Sequence, residues 1–187
     1  KSTSLLETKA FTLEQLNQTS EAQKTYAKIV ILLEKKMLDE KINPSTNRGL
    51  NMEKAYALYK SGNHSAAAKL FESLINKYPD DFTFYYNYSK LLKDSGKFKE
   101  AQPFAEKALK LAYGDNKLKV ALVTAEILIQ LDKSVEALKL IETYIENVEL
   151  PDDKTLRTRK YYKRLIGLKK TLKKWENDNL SLLTNSN

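Results

Sequence analysis

Apolar residues recur at every third or fourth position along most of the chain, which is the spacing that places them on one face of an α-helix. Near the N-terminus the residues with this spacing are Ala22, Tyr26, Ile29 and Leu33. The alternation of apolar and polar residues, rich in Val, Ile and Thr, that indicates strands is not sustained anywhere in the sequence. The pattern therefore predicts an all-α fold.

The same apolar pattern occurs twice between Gly62 and Tyr113. Gly62 and Gly96 lie 34 residues apart, and Ala67 and Ala101 have the same separation. A period of this length is typical of stacked pairs of antiparallel helices, in which a Gly forms the turn within each pair. Ala137 follows Ala101 by 36 residues, so a third pair with two inserted residues is expected.

These patterns predict an α-solenoid of antiparallel helix pairs in five segments. A terminal pair leaves an apolar face that needs a cap. The last long helix is expected to supply it with an apolar stripe of Tyr161, Leu165, Leu168, Leu172 and Trp175. The predicted segments are a degenerate N-terminal helix pair at 1–42, a loop at 43–50, three helix pairs at 51–151, a basic amphipathic capping helix at 152–177 and a frayed tail at 178–187.

Composition limits the class of protein and its compartment only loosely. The sequence is 42% hydrophobic and 30% charged, contains no Cys, and has no apolar run that approaches the roughly 20 residues needed to span a bilayer. A soluble protein of the cytoplasm, or of a bacterial periplasm or cell envelope, is expected. Because the sequence begins with Lys1, a fragment or a processed form is also expected.

The sequence lacks the combinations of residues that catalysis requires. His64 is the only His, and it has no nearby carboxylate to orient it. No Gly-rich phosphate loop or nucleophile motif occurs, and the paired Asp residues at 80–81 and 152–153 are interpreted as helix caps. The sequence thus predicts no enzyme, no metal or other cofactor, and no small-molecule substrate.

Positive charge is concentrated near the C-terminus. The whole chain has a net charge of +8, yet the stretch 154–174 alone contains ten Lys or Arg and no acidic residue. This stretch could bind nucleic acid, an anionic membrane or an acidic protein, or it could be a solvated outer face, and these alternatives stay open. The candidate basic surface consists of Arg157, Lys160, Lys163, Arg164, Lys169, Lys170, Lys173 and Lys174.

The repeated residues resemble the tetratricopeptide repeat (TPR), a helix–turn–helix unit of 34 residues. The unit 51–80 has Asn51 where that family has its first aromatic residue, and the unit 85–113 has Tyr113 where the family has Pro. The matching residues of the first unit are Ala55, Leu58, Gly62, Ala67, Phe71 and Pro79, and those of the second are Tyr85, Ser89, Leu92, Gly96, Phe98, Ala101 and Ala108.

The resemblance implies a non-catalytic scaffold or adaptor that binds a partner peptide or helix in a concave groove, within a larger assembly. The alternative is an electrostatic tether to nucleic acid or anionic membrane through residues 154–174. The clamp for chaperone C-termini that some family members carry is not expected, because Asn87 matches it but Tyr86 and Lys90 do not. By the resemblance the groove is lined by Met52, Tyr56, Tyr59, Lys60, Tyr86, Asn87, Lys90, Lys93, Leu122 and Glu126.

Overall fold

A computed structural model describes residues 3–38, 43–146 and 156–184, and these residues form nine α-helices. The predicted all-α fold of helix pairs is confirmed. None of the helices in these ranges combines the length and the apolarity needed to cross a membrane. The helices are α1 (Thr3–Gln15), α2 (Thr19–Met37), α3 (Pro44–Lys60), α4 (His64–Lys77), α5 (Phe82–Asp94), α6 (Phe98–Leu111), α7 (Asn116–Gln130), α8 (Ser134–Glu146) and α9 (Leu156–Thr184).

The chain divides into two compact units. Unit 1 (Lys1–Pro79) contains α1 to α4, and each of its helices packs against the next one along the chain. Unit 2 (Asp80–Asn187) contains α5 to α9, again with successive helices in contact. In unit 2, α7 also contacts both α5 and α9, so these three helices lie side by side.

The four tight turns within the helix pairs share one backbone conformation. A residue with positive φ follows each first helix: Asn17 (58°), Gly62 (90°), Gly96 (73°) and Asp132 (60°). The Gly62 N–H donates a hydrogen bond to the Tyr59 carbonyl, and the Asn63 N–H donates one to the Leu58 carbonyl. The other three turns have the same pair of hydrogen bonds. This is the Schellman motif, which satisfies the last carbonyls of a helix and requires a left-handed residue.

Small residues flank every one of these turns at fixed distances. The residue seven positions before each left-handed residue is fully buried. The residue five positions after it has at most 2% of its surface exposed. Because these side chains are Ala or Ser, the two helices of each pair can approach closely. The residues before the turns are Ala10, Ala55, Ser89 and Ala125, and those after the turns are Ala22, Ala67, Ala101 and Ala137.

Two predicted segment boundaries are wrong. The predicted loop at 43–50 is the start of α3, because the Asn43 side chain accepts a hydrogen bond from the Thr46 N–H and Pro44 occupies the first turn, where its missing N–H is harmless. The predicted tail at 178–187 is helical as far as Thr184, since α9 continues beyond the predicted end at 177. The predicted caps Asp152 and Asp153 lie outside the described residues.

Helix α9 covers the apolar face of the last helix pair. Leu165 and Leu172 are buried in a cluster with residues of α7 and α8, among them Leu118 and Ile141. The predicted apolar stripe of α9 also included Trp175, but this side chain is about half exposed. The stripe therefore ends one turn earlier than predicted.

Replacing Leu165 by Ala should weaken the docking of α9. The Leu165 side chain is fully buried, so Leu165→Ala should lower the free energy of unfolding by about 2–5 kcal/mol. Urea titration followed by circular dichroism measures the change. Lys163→Ala on the exposed side of the same helix is the matched control and should change stability by less than about 0.5 kcal/mol. Equal effects of the two substitutions would contradict this packing.

The two glycines Gly96 and Gly167 should respond to Ala in opposite directions. At Gly96 the φ of 73° strains any residue with a Cβ, so Gly96→Ala should destabilise the protein by about 1–2 kcal/mol. Gly167 lies within α9, and an added Cβ would meet nothing within 4 Å, so Gly167→Ala should stabilise the protein by about 1 kcal/mol. Thermal unfolding of both variants tests this, and a shift of the same sign for both would refute it.

Candidate functional site

In unit 1, the predicted site residues of α3 are only partly accessible. Tyr56 is 38% exposed, and its ring meets that of Tyr26 edge-on with the centroids 6.1 Å apart. Tyr59, by contrast, is buried and packs edge-on against the His64 ring at 4.6 Å. The prediction that Tyr59 lines an open groove is therefore wrong, because its ring closes the turn between α3 and α4. Met52 is half-buried.

Lys60 joins α3 to α1 through a carboxylate. Its Nζ lies 2.9 Å from Glu14 Oε1 and 5.8 Å from the centre of the Tyr56 ring. The Tyr26 hydroxyl donates a hydrogen bond to Glu14 at 3.4 Å. Burial is the main cause that raises the pKa of the Tyr26 hydroxyl well above its usual range, and Tyr56 and Glu14 raise it further. This hydroxyl therefore keeps its proton and acts as a donor.

In unit 2, the predicted site residues line a concave pocket of about 460 Å³ between α5, α7 and α9. Leu122 is buried, so it forms part of the floor of this pocket rather than an exposed wall. Asn87 does not line the pocket; its amide donates a hydrogen bond to the Thr83 carbonyl on its own helix. The lining residues are Tyr86, Lys90, Lys93, Lys119, Leu122, Val123, Glu126, Lys160, Tyr161 and Arg164.

A carboxylate on α7 ties the three helices of this pocket together. Glu126 Oε2 lies 2.6 Å from Lys93 Nζ of α5, and the other oxygen of the same carboxylate accepts a hydrogen bond from Arg164 of α9. The Glu126 and Lys93 side chains are only about one-fifth exposed. We call Lys93, Glu126 and Arg164 the ion triad. It links the three walls of the pocket to one another.

Aromatic rings hold a further cation at the pocket wall. The Nζ of Lys119 lies 4.5 Å from the centre of the Tyr86 ring and 5.4 Å from that of Phe82. Such cation–π contacts hold the ammonium group against the ring faces. The pocket is therefore both aromatic and positively charged.

A second pocket of about 520 Å³ adjoins the first one and shares all three residues of the ion triad. Three apolar residues contribute to its lining: Phe98 at the start of α6, Ile129 on α7 and Leu168 on α9. Apart from the shared ion triad, the residues of the second pocket have higher numbers than those of the first on each of α5, α7 and α9. The two pockets therefore form one groove along the three helices, and the ion triad lies where they meet.

The predicted basic surface of α9 is not a single surface. Lys160 and Arg164 line the groove, while Lys169 and Lys173 pair with Glu142 of α8 at 3.2 and 2.9 Å. The remaining described members of the set are exposed, and the side chain of Arg157 lies outside the described residues. These exposed members are Lys163, Lys170 and Lys174, which we call the outer ridge.

Sequence reasoning missed three residues that line the first pocket, Lys119, Val123 and Tyr161, and it missed the role of α9 as a groove wall. Lys119 shares a helix face with Leu122 and Glu126, which were predicted, so the spacing of three and four residues could have identified it. Tyr161 was assigned only to the apolar stripe of α9. No sequence signal showed that one side of the basic helix would line the groove.

A larger apolar pocket, of about 830 Å³, lies between α1 and α2 of unit 1. Its lining includes Leu5 and Ile31, each 64% exposed, and it contains none of the predicted site residues. Within the described ranges, no group of three or more His, Asp or Glu is placed to hold a metal ion.

Comparison with known families identifies the repeated segment. Two models of the tetratricopeptide repeat match the chain, one over residues 52–81 and the other over residues 82–115. Comparison with curated proteins finds no match. The predicted resemblance is thus confirmed for the part of the chain that carries the clearest 34-residue period.

Solved structures of low identity share the fold. The nearly identical TPR-like repeats of a Podosopora anserina kinesin light chain match with a TM-score of 0.55 at 14% identity, over 100% of this chain and 98% of theirs. BtubC from P. vanneervenii matches with a TM-score of 0.54 at 12% identity, over 92% of this chain and 79% of its own. A tetratricopeptide repeat protein from Parabacteroides merdae has a TM-score of 0.50 at 16% identity, over 90% and 60%. These likenesses show an all-α fold of the TPR type.

The ion pairs between α8 and α9 should depend on pH. Lys173 and Lys169 lower the pKa of the Glu142 carboxyl below its usual 4.5 through their hydrogen bonds. Because the folded state favours the ionised form, these pairs contribute to stability above pH 4.5, and the contribution is lost as the pH falls through the lowered pKa. A double-mutant cycle of Glu142→Gln and Lys173→Gln, followed by urea unfolding, should give a favourable coupling at pH 7 that vanishes in acid. A coupling that persists at low pH would contradict the assignment.

Proposed function

Residues 52–115 carry two tetratricopeptide repeats, and we propose that the chain is an adaptor that holds a segment of a partner protein in the groove between α5, α7 and α9. The observation that carries the proposal is the shape of this groove. Its two adjoining pockets of about 460 and 520 Å³ give room for several side chains of a bound segment. A non-catalytic adaptor acts through the proteins that it joins, so we expect the chain to work as a component of a larger assembly.

Contacts within the chain hold the walls of the groove together. Leu165 and Leu172 anchor α9 in the core, and the ion triad links α9 to α7 and α5. A rigid site reduces the conformational entropy that binding costs, so more of the contact energy remains as affinity. These contacts within the chain support a binding role for the groove.

The lining suits a peptide. Tyr86 and Tyr161 present rings with polar tips, a combination that is favoured at protein interfaces because the ring buries a large area at little entropic cost. Leu122 and Val123 form an apolar floor on which a partner side chain could rest. The accessible residues of α3 in unit 1, Met52, Tyr56 and Lys60, stay a prediction for a further contact surface.

Replacing Tyr86 by Ala should weaken binding of a groove ligand. Peptides of 12 residues selected from a random display library on the immobilised protein serve as probes, with affinity measured by fluorescence polarisation. Tyr86→Ala should weaken binding about tenfold or more, as expected for a central aromatic contact. Tyr113→Ala is the matched control, because this ring lies in the same unit, is 69% exposed and does not line the groove; it should change affinity less than twofold.

Other results would contradict the proposal. If no peptide is selected, or if Tyr86→Ala and Tyr113→Ala have equal effects, the groove is not the binding site. Anionic vesicles or nucleic acid provide the competing arm. If the protein binds them, and binding is lost on replacing Lys163, Lys170 and Lys174 with Gln but not in Tyr86→Ala, the chain is instead an electrostatic tether.

A further inference from the structure

We infer that the segment held in the groove is acidic at one end and apolar at the other; this inference rests on the proposed function. Of the described residues that line the first pocket, five are Lys or Arg and one is acidic. Asp94, which lies 2.7 Å from Lys90, adds a second carboxylate beside the pocket. Five positive and two negative charges leave a net charge of +3 in a concave site, which favours a carboxylate-bearing partner.

Two of the five cations are placed to meet the carboxylates of a partner. Lys160 is exposed at the rim of the pocket and makes no ion pair within the described part of the chain. Lys119 lies at the pocket wall, with its Nζ over the rings of Tyr86 and Phe82. Lys93 and Arg164 already share the carboxylate of Glu126. We assign Lys119 and Lys160 as the principal contacts of the acidic end, because Lys119 lies over the Tyr86 ring at the pocket wall and Lys160 lies at the exposed rim.

The second pocket specifies the other end of the segment. Phe98, Ile129 and Leu168 give it an apolar part, which would accept an aliphatic or aromatic side chain. Lys119 and Ile129 lie on one helix, and the rise of an α-helix puts them ~15 Å apart, which is the length of about five extended residues. The groove therefore fits acidic residues followed or preceded, within about five positions, by apolar residues. Nucleic acid offers phosphates but no apolar side chain, so the apolar pocket favours a peptide.

Glu126 has a specific role in this arrangement. Its carboxylate occupies two groove cations, as a carboxylate of the partner would do. Replacing it with Gln keeps the shape of the side chain and leaves Lys93 and Arg164 more available to the acidic end. We expect Glu126→Gln to raise the ratio of the affinity for an acidic peptide to that for a neutral one about three- to fivefold, since a net positive charge is added next to the ligand, whereas loss of the ion triad affects both peptides alike.

The test uses four synthetic fluorescein-labelled peptides of ten residues and the whole chain. The first peptide joins an acidic half of Asp and Glu to an apolar half of Leu and Phe. The second has Asn and Gln in the acidic half, the third has Lys there, and the fourth keeps the acidic half but has Ser in the apolar half. The first peptide should bind at least tenfold more tightly than each of the others. A single-stranded oligonucleotide of 12 nucleotides is the competing anion.

Charge-matched variants separate groove contacts from general attraction. Lys119→Gln with Lys160→Gln should weaken the first peptide about tenfold or more. Lys107→Gln with Lys139→Gln removes the same charge from exposed positions of α6 and α8 outside the groove, and it should change affinity less than twofold. Circular dichroism and thermal unfolding confirm that both double variants are folded.

The outcomes distinguish this inference from the proposed function. If the neutral peptide binds as tightly as the acidic one and Tyr86→Ala still weakens it, the groove binds peptides but the acidic specificity is wrong. Equal losses in the two double variants, or tighter binding of the oligonucleotide that depends on Lys119 and Lys160, also overturn the inference. If none of the four peptides binds, the inference is wrong, and the display selection decides the proposed function separately.

Discussion

Close contact between two helices at small side chains is the constraint on which the whole structure depends. In every tight turn a left-handed residue reverses the chain, and a buried Ala or Ser lies seven positions before it and a buried Ala five positions after it. A larger side chain at either place would push the helices apart, since protein interiors have no spare volume. The larger apolar residues of a pair then pack against a neighbouring helix, as Leu118 and Ile141 do in the cluster that includes Leu165 of α9.

The same constraint explains how much of the fold the sequence predicts. The period between Gly62 and Gly96 is visible because glycine marks the left-handed position, but Asn17 and Asp132 hold the same conformation and interrupt the apparent pattern. After glycine, Asn and Asp are the residues that best tolerate the left-handed region of backbone conformation. Asn17 and Asp132 were therefore the residues that could have indicated the turns of the first and last helix pairs. At Asn43 the local sequence resembles a loop, although its side chain caps a helix, because capping residues are also turn residues.

The candidate site was less predictable, because it depends on where α9 lies. A helix wheel shows that α9 has an apolar stripe and many cations, but not which cations face α7 and which face α8. Burial of Leu165 fixes that rotation, and with it Arg164 turns to Glu126 and Lys169 turns to Glu142. Burial of Tyr59 likewise depends on a ring contact with His64 across a turn, which spacing alone does not reveal.

The ion triad makes the groove and the C-terminal cap one thermodynamic system. Arg164 belongs to both, because it lies on the helix that closes the core and also forms part of the groove wall. A partner segment that contacts this wall binds only to molecules in which α9 is docked on the core. Binding of the segment must therefore also stabilise the docked state of α9. Cleavage of α9, or its capture by another protein, would free α9 from the core. The partner segment would then be released, although neither event involves a contact with the segment itself.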